Sequence, residues 1–106
     1  MKMKFSALVL SLAFAAAAPA HAVTEIPWWH SMTSANNDWV NDLANQFNAS
    51  QKDYKVIPVF KGEYDTSMTA AVAAFRAHQA PALLQVFEVG TATMMASKGA
   101  IVPVPR

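Results

Sequence analysis

The segment Ala82–Phe87, Ala-Leu-Leu-Gln-Val-Phe, is apolar at nearly every position. A continuous apolar run of this length is expected for a strand covered on both faces, as in a parallel sheet. Parallel neighbours need crossover connections, so helices must separate the strands. After the run the chain breaks at Glu88-Val89-Gly90 and resumes as a short helix over Thr91–Ser97. A carboxylate, Glu88, is thereby placed where a buried strand ends. In open α/β sheets that end of the strands is where ligands bind.

The preceding segments agree with this. Thr24–His30 reads as a strand, with Ile26, Trp28 and His30 on one face and Glu25, Pro27 and Trp29 on the other. Pro27 lacks an N–H and suits a strand start or an exposed edge. Ser34 and Asn36 are cap candidates for a helix over about Ala35–Asn48. Its apolar residues Trp39, Val40, Leu43, Ala44 and Phe47 form one stripe. Asp38 and Asp42 are expected near the positive end of its dipole. Tyr54–Phe60 is a second strand, and a second helix runs from Tyr64 or Asp65 to about His78. Asp65 or Thr66 is its expected cap, and Met68, Ala71, Val72 and Phe75 its buried stripe. Gly99 is expected to end the third helix. The fold class is therefore α/β, a β-α-β-α-β-α order around a parallel sheet.

The first residues read differently. Lys2 and Lys4 precede an apolar stretch, Phe5–Ala18, and a small-x-small triplet, Ala20-His21-Ala22. This is the pattern of a secretory signal peptide over residues 1–22, cleaved before Val23. The stretch is shorter than the roughly 20 residues that span a bilayer, so no membrane insertion is expected after cleavage. Residues 23–106 are then one unit of 84 residues. The chain holds no Cys, which excludes a disulfide framework, a thiolate metal site and a lipid-bearing Cys at the cleavage point. An exported, Cys-free chain is expected in the periplasm. Lys2 and Lys4 leave with the leader, so six basic residues face seven acidic ones and the remaining charge is −1. No basic patch is left, and nucleic-acid binding has no electrostatic basis.

Few residues offer chemistry. Glu88 can accept hydrogen bonds from ligand hydroxyls, or it is an ordinary turn carboxylate. Tyr64, at the start of the second helix, lies on the same rim of the sheet and can hydrogen-bond a ligand; its plain reading is a surface tyrosine over the helix start. Of Trp28 and Trp29, one is expected in the core and the other lining a cleft. His30-Ser31 invites a nucleophile-and-base reading, but strand neighbours point apart and no G-x-S-x-G elbow occurs. The histidines beyond the leader, His30 and His78, have no metal-ligand spacing. No P-loop or G-x-G-x-x-G is present, so no cofactor is expected. Met94-Met95 reads as core filling. Lys61 and Lys98 read as solvated charges, Lys61 being close enough to the rim to attract an anion.

Several segments carry a family resemblance. They are Ile26-Pro27 with Trp29-His30-Ser31-Met32, then Lys61-Gly62 with Tyr64, then Ala73-Ala74-Phe75-Arg76. Ala80-Pro81-Ala82, Leu84-Gln85-Val86 and the unbroken Glu88–Lys98 complete the set. From about Thr24 to Pro103 the chain resembles the N-terminal part of the periplasmic sn-glycerol-3-phosphate-binding proteins of bacterial ABC importers.

The resemblance implies the start of the N-terminal lobe of a two-lobed solute-binding protein, and no enzyme. Its ligand would be sn-glycerol 3-phosphate, with glycerophosphodiesters in some members. Its partners would be the importer's permease and ATPase subunits. Two ligand contacts of the family map onto Tyr64 and Glu88; Trp29 and His30 remain candidates for lining the cleft. The family is several times longer, and this chain leaves its pattern at Val102-Pro103-Val104-Pro105-Arg106. A truncated chain, weak or inactive alone, is therefore expected. Two other readings stay open: a non-functional exported remnant, and a small periplasmic hydrolase using His30, Ser31 and Glu88.

Overall fold

The structure is a computed structural model and describes residues 20–106. Lys2, Lys4 and Phe5–Ala18, expected above to form a leader, lie outside the described residues. His21 Nε2 meets Asp53 Oδ1 at 2.8 Å in an exposed pair. Among the described residues three strands and three helices alternate: β1 (Thr24–His30), α1 (Ser34–Ser50), β2 (Tyr54–Phe60), α2 (Tyr64–Arg76), β3 (Leu83–Leu84) and α3 (Glu88–Ala96). The sheet has the order β2-β1-β3 and both pairings are parallel. The expected α/β architecture is the one observed.

The two prolines sit where the ladder can spare them. Trp29 C=O accepts the Gln85 N–H at 2.9 Å, so odd-numbered residues of β1 address β3. Pro27 is one of these, and the β3 pairing begins only at Trp28. Pro27 thus stands in the central strand rather than at an edge, without losing a ladder bond. In β2, Val56 addresses the free edge, and so does Pro58 two residues on. The edge itself is closed by Asn48 of α1, whose amide bonds both backbone groups of Val56, at 2.9 and 2.7 Å.

Beside the two strands that matched, other boundaries differ from expectation. The third strand is Leu83–Leu84 instead of Ala82–Phe87, prolonged only by the Gln85 bond. It lies at the edge of the sheet, and Leu83 is 47% exposed. The apolar run is therefore not covered on both faces here. Val86 and Phe87 leave the sheet, and α3 starts at Glu88 rather than Thr91. Gly90, expected in the break, is buried within α3 against Met68 and Phe87. Gly99 lies beyond the end of α3, in the following turn at φ 77.

The helix ends also shift. Thr33, not Ser34 or Asn36, precedes α1, and its C=O accepts from the Asn36 and Asn37 N–H groups. With α1 beginning at Ser34, no acidic residue lies in its first turn. Asp38 and Asp42 therefore lie beyond the turn where the dipole acts. Glu63 precedes α2 with no side-chain cap bond, so neither Asp65 nor Thr66 serves as its cap. That helix closes at Arg76, short of His78. His78 takes a left-handed φ of 58, and Gln79 N–H reaches Ala74 C=O while His78 N–H reaches Phe75 C=O. This is the Schellman arrangement.

The core is small. Val40, Ala44, Ala71 and Met94 are its buried apolar residues. The α1 stripe is only partly covered: Trp39 is 59% exposed, and Leu43 and Phe47 are exposed as well. Val40 and Ala44 lie four apart and define the line of contact with the sheet. Leu43 and Phe47 flank it and face an apolar groove shared with Trp28, Val56 and Leu83. Val72 and Phe75 of the α2 stripe are half-buried.

Candidate functional site

The C-terminal ends of the three strands meet at one rim. Lys61 N–H donates to His30 C=O at 2.9 Å, tying the end of β1 to the loop after β2. Ser31 N–H donates to Gln85 Oε1 at 3.1 Å, tying the same end to β3. Tyr64 opens α2 and Glu88 opens α3, so both stand at helix N-termini on this rim. The rings of Tyr64 and Phe87 meet at 5.3 Å with a 41° tilt, and Glu88 follows Phe87 directly. The structure thus places Tyr64 and Glu88 on the same lip, with Tyr64 half-buried and Glu88 exposed.

The two tryptophans part as strand geometry requires. Trp28 faces α1 and the apolar groove with Leu43 and Val56. Trp29 faces the other side, half-buried, with the Lys61 ammonium 4.1 Å from its ring centroid. Lys61 is therefore no freely solvated charge. Its ammonium pairs with no carboxylate among the described residues.

His30 is not available as a cleft wall. Its side chain is 1% exposed, lying between Trp28 at 6.1 Å and Phe60 at 6.0 Å. It belongs to the face that α1 covers, so strand alternation turns it away from Trp29. Burial holds its imidazole below the ordinary 6.5. Its Nδ1 accepts the Met32 N–H at 3.2 Å, which fixes the ring. Ser31 Oγ is buried without a hydrogen-bond partner among the described residues.

The sequence reading missed Phe87, Gln85 and the Lys61–Trp29 stack. The stack follows from the strand register. Trp29 pairs with Val59, and Lys61 lies two residues further along on the same face.

No protein-family model matches the chain. Curated proteins do. The sn-glycerol-3-phosphate-binding periplasmic protein of Rhizobium meliloti is 50% identical over 101 residues, 95% of this chain and 24% of that protein. That of Agrobacterium fabrum is 55% identical over 94 residues, 89% of this chain and 22% of that protein. That of Yersinia pestis is 58% identical over 97 residues, 92% and 21% respectively. The chain is a relative of the sn-glycerol-3-phosphate-binding periplasmic proteins. It spans less than a quarter of their length and corresponds to their N-terminal segment. The relatives are named for binding and for the periplasm, and none of the three for catalysis. No described helix is long and apolar enough to cross a membrane.

Proposed function

We propose that this chain is the N-terminal segment of a solute-capture protein for sn-glycerol 3-phosphate, serving an ABC importer through its permease and ATPase subunits. It is exported behind residues 1–22 and acts in the periplasm, and it is not an enzyme. Tyr64 and Glu88 are its ligand contacts. The observation that carries the reading is their placement: each opens a helix at the C-terminal rim of a parallel sheet, joined by the Tyr64–Phe87 contact. A carboxylate accepts hydrogen bonds and cannot favour a phosphate, so Glu88 suits the glycerol hydroxyls. The Tyr64 hydroxyl can donate to a phosphate or hydroxyl oxygen.

The rim is one wall of a cleft. Affinity for a small ligand comes from enclosure by convergent groups, so this segment alone binds weakly. The test is an amide NMR titration of the exported product, whose intact mass first checks cleavage before Val23. With sn-glycerol 3-phosphate raised to about 10 mM, the Tyr64, Glu88 and Trp29 amides shift with a Kd of about 1 mM or weaker. Shifts confined to other surfaces would remove the ligand assignment. Micromolar affinity would show that one wall suffices. A product with no dispersed spectrum and no cooperative melt favours the remnant reading.

A further inference from the structure

Lys61 is a cation beside this rim. It lies in the loop between β2 and α2, and its backbone is pinned by the 2.9 Å bond from its N–H to His30 C=O. Gly62 follows at φ 86, a left-handed turn that brings the chain into Tyr64 two residues on. The ammonium stands 4.1 Å from the centroid of Trp29. Glu63, Asp65 and Glu88 are near in the chain or on the rim, yet none forms an ion pair with it. An ammonium carries three donors, and a ring face satisfies charge without accepting a directed hydrogen bond. The cation is thus held in place with its donors uncommitted to any carboxylate.

The geometry points to Lys61 as the anion-side contact of this rim, and to Trp29 as the residue that positions it. The ligand class is a phosphomonoester or inorganic phosphate. Resting on the reading of the rim as a glycerol-phosphate site, the assignment adds polarity to it. The anionic end lies toward Lys61 and Tyr64, and the hydroxyl end toward Glu88, which would repel a phosphate. No charge is transferred and no bond is made or broken; the contact is electrostatic.

The experiment uses the chain as expressed and processed, with inorganic phosphate, sn-glycerol 3-phosphate and glycerol as separate probes in NMR titrations. Lys61→Met keeps the apolar stem over Trp29 and removes the charge. It is expected to weaken both phosphate probes about tenfold while leaving glycerol within about twofold. Lys61→Arg keeps charge and stacking and should retain binding. Trp29→Leu is expected to weaken the phosphate probes about threefold, and the double variant Trp29→Leu with Lys61→Met should bind no worse than Lys61→Met alone. Lys98→Met is the control and should change nothing. The proposal is overturned if Lys61→Met leaves phosphate binding intact, if it weakens glycerol equally, or if the unaltered chain binds no phosphate probe. A chain that binds inorganic phosphate through Lys61 but does not prefer the glycerol ester would uphold this contact and refute the glycerol-phosphate reading.

Discussion

Asn48 offers the sharpest test of how the sheet is held. It sits in the last turns of α1 and reaches the free edge of β2. Its Nδ2 donates to Val56 C=O at 2.9 Å, and its Oδ1 accepts the Val56 N–H at 2.7 Å. One side chain thereby does what a further strand would do for that residue. Each such bond contributes about 0.5–1.5 kcal/mol net, so Asn48→Ala removes about 2 kcal/mol. Alanine is the better helix former and returns about 0.5 kcal/mol. The net loss is about 1.5 kcal/mol, which in a domain of this size lowers Tm by about 6–12 °C. Thermal melting by circular dichroism measures the loss, and hydrogen exchange at the Val56 amide locates it. Asn48→Asp keeps the acceptor but sets a carboxylate against a carbonyl, and should cost at least as much. A fall in Tm of under about 2 °C for Asn48→Ala, with Val56 still protected, would show that the amide clamp contributes nothing.

Two further outcomes follow from buried groups. His30 is held below its ordinary 6.5 by burial, so the unfolded chain binds a proton more readily than the folded one. Its contribution is therefore fully present above 6.5 and is lost as pH falls through the lowered folded value, with a slope of at most about 1.4 kcal/mol per pH unit. Urea unfolding between pH 7.5 and 5.5, both values being about one unit either side of the free histidine pKa, should show this slope, and His30→Gln should flatten it. Ser67 is fully buried in α2, and its hydroxyl has no partner among the described residues. Ser67→Ala should therefore stabilise the chain by about 0.5–1 kcal/mol in the same assay, through relief of desolvation and better helix propensity; a loss of stability would mean that the hydroxyl is bonded.

The strands β1 and β2 were legible because both are dense in β-branched and aromatic residues and each is followed by a polar connection. Their limits, Thr24–His30 and Tyr54–Phe60, follow from the pattern itself. The third strand was not, because apolarity records what a segment is suited to rather than what covers it. Ala82–Phe87 has the composition of a doubly covered strand, yet it is an edge with Leu83 exposed. The α1 stripe misled for the same reason: Trp39 is apolar, but the contact line runs through Val40 and Ala44. At the site, the shared lip of Tyr64 and Glu88 was readable from topology alone. The burial of His30 and the stacking of Lys61 on Trp29 needed the face assignment of β1 and its register with β2, which no single segment contains.

The order β2-β1-β3 also governs when the molecule can assemble. The earliest strand made is the central one, and it waits for both neighbours: Thr24 for Tyr54, Trp28 for Leu83. Neither pairing is local, so closing the long intervening loops must precede any reward from the ladder. Until Leu83 and Leu84 have arrived, β1 keeps one side open to a stranger, which makes the interval after synthesis the period of greatest exposure to misassembly.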